Sequence, residues 1–138
     1  MTLRRKSREF ALQLLYQWDL RGDEPAGIEE NFWKGARATD ETRKFAHELF
    51  IGAVAAAAEL DKLISAHSAN WRIERMGAID RSLLRLGVYE LRFGTAPPNV
   101  VINEVVELAK TFSDADAPAF VNGILDAINK MFPAKSAE

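Results

Sequence analysis

Between Pro25 and Pro97 the chain contains no proline, and across that stretch its apolar residues recur three and four apart instead of alternating. Proline removes a backbone donor and clashes with the preceding turn, so a long proline-free span with a 3.6-residue period reads as helix. Phe45, Leu49, Ala53, Leu60 and Ile64 follow one such stripe, and Thr39 or Asp40 offers a cap for it, which predicts a helix from about 40 to 67. Ile79, Leu83, Leu86 and Phe93 define a second stripe that stops at Gly94.

The flanks continue the pattern. Phe10, Ala11, Leu14, Leu15 and Trp18 share an arc of about 140° on a helical wheel, and Gly22, Pro25 and Gly27 end that helix. A short segment around "IEENFWKGA" follows, and "SANWRIERMG" reads as a break with a short turn. "TAPPNV" is a loop, because paired prolines remove donors and bias the preceding residue away from helix. Val101, Val105, Leu108 and Phe112 then repeat at helical spacing, and "SDADAP" separates them from a last helix bearing Phe120, Ile124, Leu125 and Ile128. "NVVI" alone resembles a strand, but it runs on into a 3.6-residue period. The expectation is an all-α chain of six or seven helices, forming one domain with an N-terminal half near residues 1–70 and a C-terminal half near 71–138.

Composition closes off several chemistries. The chain has no cysteine, so disulfides and thiolate metal sites are excluded, and the cytoplasm is the expected compartment. Its longest apolar runs, such as "IGAVAAAAEL", are too short and too alanine-rich to span a bilayer. His47 and His67 would lie roughly 30 Å apart on one continuous helix and could not share a metal. No Gly-rich phosphate loop, HExxH or G-x-S-x-G is present, and the acids are scattered, so no catalytic residue, metal or cofactor is assigned and the chain is not expected to be an enzyme. Glu90 falls on the apolar arc of Ile79, Leu83 and Leu86, where a carboxylate is costly unless paired; a buried structural carboxylate bonded to an arginine or to helix-end amides is expected in preference to a catalytic acid. Arg81, Arg85 and Arg92 form a basic stripe on the opposite side of that helix, either a solvated face paired with acids or a binding surface.

The net charge of −2 conceals an asymmetry: residues 1 to 21 hold Arg4, Arg5, Lys6, Arg8 and Arg21 against Glu9 and Asp19. On the wheel Arg5 and Tyr16 lie within about 20° of each other, with Lys6 and Arg8 flanking, away from Phe10, Leu14 and Trp18. Cations that neutralise phosphates beside a ring that stacks on an unpaired base suit single-stranded nucleic acid. Leu12 and Leu20 share the side of Tyr16, so a packed ring, a protein or anionic-lipid contact, and a solvated segment stay open on spacing alone.

Four stretches in order, "RRKSREFALQLLYQWDL", "AIDRSLLRLGVYEL", "VVINEVVELAKTF" and "AFVNGILD", resemble the NusB family of bacterial transcription antitermination factors. With the long helix between them they cover most of the chain, and I-N-E-x-x-E-L-A-K combined with F-V-N-G is the specific part. The resemblance implies an all-helical fold of two small bundles. It also implies a non-enzymatic role: binding the single-stranded boxA RNA of nascent ribosomal RNA transcripts with NusE, a small-subunit ribosomal protein, in a larger complex with NusA, NusG and RNA polymerase.

Carried over residue by residue, it assigns the arginine-rich motif to Arg4, Arg5, Lys6 and Arg8, with Tyr16 as the following aromatic. It places Arg85, Lys110, Asp116, Phe120 and Asn122 at the RNA surface, and Asp80 and Arg81 at the NusE surface. Structural roles stand beside these: Asp116 as an N-cap ahead of Pro118, Phe120 as a core ring, Asn122 as a satisfied buried amide, Gly123 at a close helix approach, and Lys110 paired with Glu107. "SDADAPAF" is more acidic than the family's usual loop, and "SAHSANWRIER" lacks a tyrosine often found there. The resemblance leaves both a monomer and a homodimer open. Two competing readings are a helical protein-interaction adaptor and an RNA-binding module like that of ribosomal RNA cytosine methyltransferases, for which the residues after the last helix leave no room for a catalytic domain.

Overall fold

The computed structural model describes residues 3–69 and 72–132. Within them the chain is all-α, with no strand: α1 (Leu3–Arg21), α2 (Pro25–Lys34), α3 (Asp40–Ala55), α4 (Ala57–His67), a 3-10 turn (Ile73–Arg75), α5 (Ala78–Phe93), α6 (Pro98–Phe112) and α7 (Ala117–Asn129). Asn70 and Trp71, in the middle of the expected break, lie outside the described residues, as do residues 133–138.

Local chemistry sets most boundaries. The Thr39 hydroxyl accepts from the Thr42 amide at 3.1 Å and opens α3, while prolines at the starts of α2, α6 and α7 occupy positions where their missing donor costs nothing. Gly22, at φ +68°, closes α1 in a conformation that L side chains rarely adopt. At α7 the expected cap is corrected: Asp116 makes no side-chain cap bond. Asp114 Oδ1 accepts from the amides of Asp116 and Ala117, both at 3.2 Å, and caps the helix instead.

The helix expected from 40 to 67 is two helices, broken at Ala56. The Ala56 amide still bonds to the Gly52 carbonyl and its own carbonyl accepts from Leu60, so the bend costs little backbone bonding. It turns α4 so that it packs on both α5 and α7.

Helix α5 is the centre of the molecule. Ser82 through Val88 are buried without interruption, and the helix packs against α1, α3, α4, α6 and α7. One apolar cluster takes residues from all seven helices, among them Leu14, Ile28, Phe50, Ile64, Leu86, Val105 and Leu125. Close approach occurs at Gly87, where a Cβ would stand 2.8 Å from the Leu125 side chain, and at Gly52, where it would collide with the Tyr89 ring. Gly123, expected to serve this purpose, faces open space.

Candidate nucleic-acid interface

The amphipathic pattern of α1 buries Phe10, Ala11, Leu14 and Leu15, and also Leu12 on another side, which fixes how the four cations of its first turns are presented. Arg4 is exposed, its guanidinium carbon 3.7 Å from the centroid of the Phe45 ring on α3. Lys6 is exposed and its ammonium lies 3.3 Å from Glu9. Arg5 reaches α6, donating from Nε to Glu104 Oε1 at 3.0 Å and from Nη2 to Oε2 at 2.5 Å, with its side chain still 41% exposed.

Arg8 departs from its expected role. It is 3% exposed and forms a two-pronged pair with Glu90 on α5, Nε to Oε2 at 2.7 Å and Nη2 to Oε1 at 2.8 Å. Glu90 is 2% exposed, so the buried carboxylate expected on the apolar arc has an arginine as its partner. The wheel missed the inward turn of Arg8 because its partner lies 82 residues away. Arg8 therefore ties α1 to α5 and does not present its guanidinium to solvent.

The stripe on α5 is likewise occupied. Arg85, 8% exposed, donates Nε and Nη2 to Asp61 on α4 at 2.8 and 2.9 Å and Nη1 to Asp19 on α1 at 2.6 Å. Arg81 donates Nε and Nη2 to the same Asp19 at 3.0 and 2.5 Å, and its Nη1 satisfies the Ile73 and Met76 carbonyls around the 3-10 turn. Burial alone would push the Asp19 carboxyl up, but the hydrogen bonds from Arg81 and Arg85 outweigh it and hold the group below its ordinary 3.8. Burial likewise opposes the charge on Arg85, and its bonds to Asp61 and Asp19 prevail and raise it. Arg81 and Arg85 fasten the end of α1 to α5; of the predicted stripe, Arg92 lies exposed, 3.3 Å from Glu59.

Tyr16 is half-buried on α1. Lys110 is exposed on α6 and pairs with Glu107 at 3.2 Å, as its spacing predicts. Asn122 is exposed on α7 and so is not a buried amide, and Phe120 is half-buried against the core. Asp116 and Phe120 line a groove of about 430 Å³ together with Asp80, Asp114, Arg75 and Met76. Asp80 there accepts from the Ser113 hydroxyl at 2.6 Å. A second cleft, about 630 Å³, brings Arg4, Arg5 and Arg8 together with Phe45, Tyr89, Phe93 and Glu104. No site role follows from the sequence for Phe45, Glu104, Asp19 or Asp61, although Phe45 lies on an apolar stripe and Glu104 inside the I-N-E stretch.

Elsewhere, His47 Nδ1 lies 2.6 Å from Glu29, which also accepts from the Trp33 indole, and His67 donates to its own helix at the Leu63 carbonyl. Among the described residues no group of three or more histidines and acids is placed to hold a metal, and no helix is long and apolar enough to cross a membrane.

The NusB family model matches residues 5–130 of the chain. Transcription antitermination protein NusB of Koribacter versatilis is 42% identical over 134 residues, covering 96% of this chain and 92% of that protein. Its counterpart in Myxococcus xanthus is 44% identical over 133 residues, covering 93% and 95%. A crystal structure of antitermination factors NusB and NusE in complex with dsRNA superposes with a TM-score of 0.84 at 36% identity, covering 96% of this chain and 99% of that one. The solution structure of NusB from Aquifex aeolicus gives 0.83 at 34% identity, covering 99% and 97%.

Proposed function

The chain belongs to the NusB family of transcription antitermination proteins, and from that premise we propose that it binds single-stranded boxA RNA of nascent ribosomal transcripts together with NusE. The same proposal places it in an antitermination complex with NusA, NusG and RNA polymerase, in the cytoplasm where transcripts are made. The observation that carries it is the surface of α1, where Arg4, Arg5 and Lys6 stand at solvent and Tyr16 lies further along the same helix, half-buried. Lys110 and Asn122 extend the polar surface onto α6 and α7. A related structure in which NusB and NusE are bound to RNA supports the pairing of partners.

Roles divide by exposure. Arg4, Arg5, Lys6 and Lys110 contact phosphates, Tyr16 and Phe120 offer ring faces to bases, and Asn122 supplies base-edge hydrogen bonds. Arg8, Arg81 and Arg85 shape the surface from beneath. Asp80, Asp114 and Asp116 repel phosphate and attract cationic side chains, so their groove suits a basic ribosomal protein bound beside the RNA. A homodimer that covers the α1 surface would compete with RNA for it.

Filter binding of a boxA RNA, with and without NusE, tests the proposal. Saturable binding strengthened by NusE is expected, with log K falling by about 0.7 per phosphate contact for each tenfold rise in salt. An absence of binding under both conditions would refute it.

A further inference from the structure

Three of the four cations in the basic segment of α1 are already held by carboxylates: Lys6 by Glu9, Arg5 by Glu104 and Arg8 by Glu90. The three pairs are physically different. Arg8 and Glu90 are buried and belong to the core. Lys6 and Glu9 are neighbours on one exposed turn, a pairing of little energetic weight. Arg5 is held across 99 residues by a carboxylate that is only 15% exposed, while its own side chain remains 41% exposed. Glu104 grips the Nε and Nη2 edge of the guanidinium, the edge that also suits a two-pronged contact with phosphate.

We infer that Glu104 competes with RNA phosphate for Arg5 and thereby sets the affinity of the basic segment for polyanions below what its cations alone would give, an inference that rests on the RNA-binding reading above. The hydrogen bonds from Arg5 hold the Glu104 carboxyl below its ordinary value, so it stays charged at neutral pH. Glu107 and Glu9 add to the negative field at the same guanidinium. A phosphate arriving at Arg5 meets a cation already paired with a carboxylate that also lies 3.8 Å from Arg8 Nη1. It must displace that carboxylate or bind beside a like charge. Every RNA meets this penalty, and RNAs with good base contacts elsewhere overcome it.

Glu104→Gln keeps the shape and an acceptor for Nε while removing the charge, and Glu104→Met repeats the test without the hydrogen bond. Both are compared with wild type by salt-dependent binding of boxA RNA and by the salt needed for elution from heparin, alone and in an Arg5→Ala background. Binding about fivefold tighter in Glu104→Gln is expected, the scale of one surface ion pair, with a salt slope steeper by about 0.7. Elution from heparin moves to higher salt, and both gains vanish when Arg5 is alanine. Unchanged or weaker RNA binding and heparin retention would overturn the inference by making Glu104 a positioning residue, as would equal gains without Arg5. Wild type that fails to bind boxA RNA while Glu104→Gln still gains heparin retention would refute the proposed function and support the competition.

Discussion

Replacing Glu90 with leucine separates two roles for Arg8, buried tie and RNA ligand. The substitution leaves the Arg8 guanidinium, 3% exposed, without its two-pronged partner, and breaking a buried pair in this way costs about 3–5 kcal/mol. The low end applies, because Glu104 remains 3.8 Å from Arg8 Nη1. For 138 residues the unfolding entropy is about 0.29 kcal/mol/K, so a loss of about 3 kcal/mol lowers Tm by about 10 °C. Adding Arg8→Met removes the stranded charge and fills the space with a flexible apolar side chain, so the double variant recovers most of that loss. Thermal unfolding followed by circular dichroism measures both, and filter binding of the double variant measures RNA affinity, expected within about twofold of wild type if Arg8 touches no phosphate. A drop in Tm below about 3 °C for Glu90→Leu would refute the buried-pair reasoning. A folded double variant that loses affinity tenfold or more would return Arg8 to the RNA surface.

The depressed carboxyl of Asp19 gives a pH signature: its contribution to stability is complete above the ordinary value of 3.8 and is lost as pH falls through the lower folded value. Asp19→Asn is therefore less stable than wild type at neutral pH and loses less between about pH 4 and pH 2; parallel acid-denaturation curves would contradict this. Gly87→Ala places a Cβ against Leu125, and overpacking outweighs the gain in helix propensity for a net loss of about 1–2 kcal/mol in urea unfolding. Tyr16→Ala weakens RNA binding by about 1–3 kcal/mol if the ring stacks on a base; intact binding with a lowered Tm would mark the ring as packing alone.

What was legible in the sequence was what local periodicity encodes. The stripes of α1, α5, α6 and α7 follow from 3.6-residue spacing, and the paired burial of Glu90 follows from its place on an apolar arc. The bend at Ala56 was not legible, since a run of alanines favours helix throughout and it is packing of α4 on α5 and α7 that turns the chain. The occupation of the arginines was hidden for another reason. Arg8, Arg81 and Arg85 find their acids on other helices, 24 to 82 residues away, and a helical wheel shows only an element's own neighbours. The N-terminal segment reads as a strong positive patch by composition, yet folding brings Glu90 and Glu104 to it and leaves its charge largely balanced. Recognition is thereby shifted from net charge toward the placement of a few exposed groups.

RNA held on the exposed face of α1 and reaching toward α6 and α7 is detected by amide chemical-shift mapping of the ¹⁵N-labelled protein during titration with a boxA RNA. Shifts are expected to concentrate around Arg4, Arg5, Lys6 and Tyr16 and around Lys110, Phe120 and Asn122, with the surface around Glu29, Trp33 and His47 unchanged. Shifts centred on that latter surface, or none at saturating RNA, would contradict this placement of the RNA.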